Sequence, residues 1–115
     1  MSYQLAFWKY GSSPSTDHSK IYQQLMDEEL PDSVEELPIE EIRKEIDQKF
    51  SKEWKEEFKN FYSKEDKVFE VSTNPKLLLI DCRGLEGEEM NDFIDLAGKF
   101  GCSLYDPQTE QRYEG

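Results

Sequence analysis

Four consecutive apolar residues, Leu77-Leu78-Leu79-Ile80, constrain this chain more than any other feature. Neighbouring side chains of a strand point to opposite faces, so such a run is apolar on both sides and belongs inside a sheet. It continues to Cys82 and follows a second strand-like run, Val68 to Val71. Thr73-Asn74-Pro75-Lys76 lies between them and supplies turn chemistry, so the two runs are expected to form a hairpin around a central strand. Tyr3 to Tyr10, rich in aromatics, reads as a first strand that Gly11-Ser12-Ser13-Pro14-Ser15 breaks. Cys102 to Tyr105 reads as another. Asp106-Pro107-Gln108-Thr109 then turns the chain into a short edge strand, Glu110 to Tyr113.

Three-to-four-residue spacing of apolar side chains marks the helices. Thr16 or Asp17 is placed to cap a helix that carries Ile21, Tyr22, Leu25 and Met26 and runs to about Glu28. The connector Glu29 to Pro38 holds two prolines and cannot continue it, although Leu30, Val34 and Leu37 predict that it packs on the body. Pro38 suits a first helical position. Ile39, Ile42, Ile46, Phe50, Trp54, Phe58 and Phe61 then predict one long amphipathic helix to about Tyr62, with Ser51 its weakest point. A last helix begins with Glu88 and Glu89 in its first turn, buries Met90, Phe93, Ile94 and Ala97, and ends near Gly101. The resulting order, β-α-α-β-β-α-β, predicts an α+β fold. A mostly antiparallel sheet would carry helices packed on one face, in a ferredoxin-like arrangement. Its 115 residues suit a single acidic domain spanning 1–115.

Charge narrows the function. The 36% of apolar and 13% of aromatic residues suffice for a core, so the 35% of charged residues do not signal disorder. The formal net charge is −12, beyond the magnitude of about 2–8 that solubility asks of a small domain. Nucleic acid and anionic membrane are polyanions and are disfavoured as direct partners; a basic protein is favoured. The charge is concentrated. Residues 27–47 hold ten acids against Arg43 and Lys44, a net −8. The candidate partner-binding residues are therefore Asp27, Glu28, Glu29, Asp32, Glu35, Glu36, Glu40 and Glu41. A field of this kind speeds association and selects partners. The plainer alternative is a solvated helix terminus, where acids are expected in any case.

Catalytic signals are sparse. His18 stands alone at the start of a helix and reads as a surface residue. Cys82 and Cys102 sit on apolar segments and read as buried free thiols in a reducing cytosol. Gly84-Leu85-Glu86-Gly87 holds two glycines, but its acids would repel a phosphate. Glu88, Asp92 and Asp95 lie at helical spacing and read as a solvated face, since the acidic loop of a calcium site is missing. Hence no catalytic residue, metal or cofactor is assigned. The start of the chain lacks the basic, apolar pattern of a secretory signal, and no apolar run approaches the roughly 20 residues of a membrane span.

Four stretches carry a resemblance: Met1-Ser2-Tyr3-Gln4-Leu5-Ala6-Phe7-Trp8-Lys9, Ile21-Tyr22-Gln23-Gln24-Leu25-Met26, Leu37-Pro38-Ile39-Glu40-Glu41-Ile42, and Gly101-Cys102-Ser103-Leu104-Tyr105-Asp106-Pro107-Gln108-Thr109. Together they resemble a family of small bacterial cytosolic proteins, over nearly the whole chain. Proteins of this kind are similar in size and charge to the immunity proteins of polymorphic toxin systems, contact-dependent growth inhibition included. The resemblance implies a cytoplasmic protein that binds and neutralises a cognate toxin domain, a basic nuclease being the type that an acidic inhibitor fits. It brings no catalytic residue with it. The alternative is a small housekeeping or regulatory binding protein without a toxin partner, its acidity serving solubility.

Overall fold

The computed structural model describes residues 2–12 and 16–113. Ser13-Pro14-Ser15, read above as part of the break after the first strand, lie outside them. The elements are β1 (Ser2–Trp8), α1 (His18–Met26), α2 (Ile39–Phe50), β2 (Lys55–Phe58), β3 (Phe61–Lys64), β4 (Lys67–Asn74), β5 (Leu77–Arg83), α3 (Gly87–Gly98), β6 (Ser103–Asp106) and β7 (Gln111–Tyr113). They build one seven-stranded sheet of order β2-β3-β4-β5-β1-β6-β7. Every pairing in it is antiparallel.

The apolar run sits where its two-sided character demands. β5 is the middle strand, between β4 and β1, in a register that sets Ile80 opposite Leu5 and Leu78 opposite Phe7. The β4–β5 hairpin turns through Pro75 and Lys76, and the Asn74 side chain accepts from the Lys76 N–H at 2.9 Å. That bond is the local side-chain turn for which asparagine is suited.

Three expectations are corrected. First, the helices lie on both faces of the sheet. α2 and α3 bury Ile42, Ile46, Phe50, Phe93 and Leu96 against Leu5, Phe7, Phe69, Val71, Leu78 and Ile80. On the opposite face, Ile21 and Leu25 of α1 pack on Ala6, Trp8, Leu77, Leu79 and Tyr105. The alternation of β1 and β5 leaves apolar side chains on each face, and each needs its own cover.

Second, the long helix stops at Phe50, with Ser51 as its C-cap. Trp54 still folds back onto the core, its ring 6.3 Å from Phe50 and 4.9 Å from Phe69. The chain then forms the β2–β3 hairpin, turning at Lys59 and Asn60, the latter in the left-handed region at φ 71°. Phe58 belongs to no buried stripe, since it is 72% exposed. Helical spacing there is a coincidence of aromatic positions on an edge hairpin. Third, these two strands and the separate β7 replace the ferredoxin-like order with β-α-α-β-β-β-β-α-β-β, and Pro38 becomes the N-cap of α2 rather than its first residue.

On the α1 face the last strand is fastened by a cation. The Arg112 guanidinium lies 4.8 Å from the Trp8 ring centroid and 4.6 Å from that of Tyr10, and donates to the Trp8 carbonyl at 2.9 Å. This joins an electrostatic attraction for two ring faces to a charged hydrogen bond.

Candidate functional sites

Two regions carry chemistry that the fold does not use up: an acidic strap across one end of β1, and an apolar cleft that runs beside α3 with its polar corner at the other end.

The strap is the connector between α1 and α2. Because those helices cover opposite faces, the connector must cross the end of the sheet, past the end of β1 and the β4–β5 turn. Its backbone is tied down on the way. The Gly11 N–H donates to the Ser33 carbonyl at 2.9 Å, the Glu35 N–H to Lys9 at 2.8 Å and the Leu37 N–H to Pro75 at 2.8 Å. The Lys76 ammonium donates to the Pro31 carbonyl at 2.9 Å. Val34 bridges to Tyr10 and, with Leu37, is buried. Leu30 turns outward instead, 44% exposed, beside Met26 at 39%.

All eight acids singled out above, Asp27, Glu28, Glu29, Asp32, Glu35, Glu36, Glu40 and Glu41, are exposed. Among the described residues only Glu35 of the eight forms an ion pair, with Lys9 at 3.3 Å. Glu40 and Glu41 occupy the first turn of α2, where the helix dipole favours them. Along the ribbon from Met26 to Glu41, Val34 and Leu37 thus point inward and the acids outward, with Met26 and Leu30 exposed among those acids.

Sequence reasoning missed the cleft. It holds about 500 Å³ between α3 and the β1, β6 and β7 strands, on the face that α2 and α3 share. Met90 and Ile94, expected in the buried stripe of α3, are only half-buried and form its wall, while Phe93, Leu96 and Ala97 face the core. Gly87 and Gly98 continue the same stripe, and a Cβ on either would meet nothing within 4 Å. Leu5 and Leu104 form an apolar floor that ends at Tyr3, Asp106 and Tyr113.

Asp106 is 4% exposed. Its carboxylate accepts from the Tyr3 hydroxyl, from the Gln108 N–H at 2.9 Å and from the Gln108 side-chain amide. The amide of Gln108 also bonds the β1 backbone at Gln4 in both senses, at 2.8 and 3.1 Å. Burial pushes the Asp106 carboxyl upward, but the donors from Tyr3 and Gln108 outweigh it and hold the group below its usual range. The Tyr3 hydroxyl, bound to that carboxylate and partly desolvated, is pushed up to about 12. The sequence signal for this corner was Asp106-Pro107-Gln108, which reads equally well as an ordinary turn.

The remaining candidates do not converge on one another. Cys82 and Cys102 are free and buried. Burial pushes Cys82 up to about 12 and Cys102 up to about 11. A thiol is nucleophilic only as thiolate. Both are therefore expected to resist a disulfide reagent such as Ellman's at pH 8 and to react within minutes once guanidinium unfolds the chain. Rapid labelling of the native protein would contradict their burial. His18 lies with α1 on the face opposite Cys82, its Nδ1 2.8 Å from the Tyr10 hydroxyl. Of the acids on α3, Asp92 stands 4.0 Å from the Lys49 ammonium, and Glu88 and Asp95 are exposed. Glu89 pairs with Lys67 at 3.0 Å. Among the described residues no group of three or more His, Cys, Asp or Glu side chains converges to hold a metal ion, and no helix is long and apolar enough to cross a membrane.

No protein-family model, curated protein or solved structure matches this chain.

Proposed function

We propose that this chain is a binding protein whose acidic strap docks a basic protein partner, and that the partner is a toxin domain, a nuclease in type, which it neutralises as a cytoplasmic immunity protein. The observation that carries the reading is the strap. Seven exposed acids without an ion pair among the described residues lie along one ribbon whose backbone is bonded to the sheet, with Met26 and Leu30 exposed among them. A ribbon already ordered loses little conformational entropy on binding. The acids supply long-range attraction for Lys and Arg, and the two apolar side chains supply area to desolvate. Proteins that cleave nucleic acid present basic surfaces, and a strap of this charge covers such a surface in place of the substrate.

Co-purification from the native host, with mass spectrometry of the bound protein, tests the reading directly. One basic partner at a one-to-one ratio is expected. Asp27→Lys, Glu28→Lys, Glu29→Lys and Asp32→Lys together should then slow association by roughly 10- to 1,000-fold at low salt and flatten its salt dependence. Unchanged kinetics in that variant would remove the strap from the interface. Recovery of no stable partner would favour a housekeeping binding role, with the acidity serving solubility.

A further inference from the structure

We propose that the cleft beside α3 is a binding site for a small organic ammonium, its apolar body lying among Leu5, Met90, Ile94 and Leu104 and its cationic head at Tyr3, Asp106 and Tyr113. The polar end of the site lies away from the strap. Tyr3 and the strap-bonded end of the first strand are separated by most of the length of β1.

Three observations lead to this ligand class. The first is volume and lining. About 500 Å³, mostly apolar, with Tyr3, Asp106 and Tyr113 at one end and Asn91 and Ser103 elsewhere on the lining, is the form of a small-molecule site. The second is the donor–acceptor balance of that end. The Tyr3 hydroxyl spends its hydrogen on Asp106, and the Tyr113 hydroxyl spends its own on Gln111 at 3.0 Å. What these groups have left are acceptor lone pairs. Asp106 is the one charged side chain among the described residues lining the cleft, and its hydrogen-bond donors favour the ionised form. A ligand that brings only donors, and positive charge, complements this end; a carboxylate or phosphate does not. The tyrosine rings add the negative faces that attract an ammonium.

The third observation is the pair of helical glycines. Gly98 closes α3, and the space around its missing Cβ is open. Gly87 and Gly98 stand eleven residues apart, three turns along the Met90–Ile94 stripe. The helix therefore leaves its cleft-facing wall bare at both ends, where a longer side chain would shrink the volume.

Titration of the full chain with 2-phenylethylammonium in 150 mM NaCl, followed by calorimetry and by amide chemical shifts, tests the site. Saturable one-to-one binding is expected, with shifts confined to β1, β6, β7 and α3. The neutral isostere 2-phenylethanol should bind at least tenfold more weakly. Gly98→Leu, which fills the cleft from an open position, should weaken the ammonium at least tenfold while the protein stays folded; Gly98→Ala should leave binding within about twofold. Asp106→Asn is expected to weaken it roughly 10- to 100-fold, as the loss of a charged hydrogen bond implies. Three outcomes would overturn the proposal: shifts that grow linearly and spread over the acidic surface, equal affinity for ammonium and alcohol, or full affinity in folded Gly98→Leu.

Discussion

Truncating Phe69 to alanine is expected to destabilise the protein by about 3–5 kcal/mol, a large share of a typical domain's total. The residue is fully buried on β4, and four aromatic rings meet it. Phe50 at the end of α2 lies 5.1 Å from its centroid, Trp54 after that helix 4.9 Å, Tyr62 of β3 4.8 Å and Phe93 of α3 4.8 Å. One side chain thus joins the two helices of this face to the hairpin beside them. Removing it forfeits its own transfer from water, leaves a cavity with rigid walls, and breaks aromatic contacts worth about 0.5–1.5 kcal/mol each beyond area. Urea unfolding followed by tryptophan fluorescence gives the number, read from the midpoint at constant slope. A loss under about 1.5 kcal/mol would mean that the rings close over the gap and that the cluster is not a junction. Phe69→Leu, which keeps much of the volume, should lose clearly less.

The second large effect separates the two faces of the sheet. Leu78 and Leu79 are neighbours on β5, yet Leu78 belongs to the core under α2 and α3 and Leu79 to the core under α1. Leu78→Ala and Leu79→Ala are each expected to destabilise the protein by about 2–5 kcal/mol. A sheet covered on one face would respond differently, with one substitution severe and its neighbour close to neutral, as surface changes are. Equality within about twofold supports the three layers; a loss under about 0.5 kcal/mol at Leu79 would contradict them. The double variant then measures how far the two cores are coupled through the backbone these neighbours share.

That same four-residue run shows what was legible beforehand. Leu77 to Ile80 predicts a central strand, and β5 is the middle strand of seven. The run also contains the correction to the one-faced arrangement, since a strand apolar on both sides calls for cover on both. The β4–β5 turn, the start and end of α1 and the return at Gly101 were readable because local chemistry decides them. Asp17 accepts from the Lys20 N–H, and Gly101 takes φ 79°. The β2–β3 hairpin was not readable, because aromatics at positions 50, 54, 58 and 61 mimic a helical stripe. The only contrary local signals are Ser51 and the Lys59-Asn60 turn. For the strap, composition pointed to the acids and tertiary structure supplied their common outward direction. For the cleft the sequence gives little. Two glycines on a helix and an aspartate in a turn take meaning only once α3 and β6 are side by side.

β1 lies inside the sheet, and this placement governs the order in which the chain acquires its structure. Leu5 pairs with Ile80 and Ala6 with Tyr105, partners about 75 and 99 residues away along the chain. The β2–β3, β3–β4 and β4–β5 hairpins close over loops of a few residues and assemble at little entropic cost. β1 must wait for both of its neighbours. Until residues 77–83 exist it has no edge to join, and until residues 103–106 join it the sheet ends on its apolar flank. Such distant pairings put the fold among the slower two-state topologies. They also leave the aromatic stretch Phe7-Trp8 of a growing chain exposed through most of synthesis, the interval in which a chaperone has most to hold.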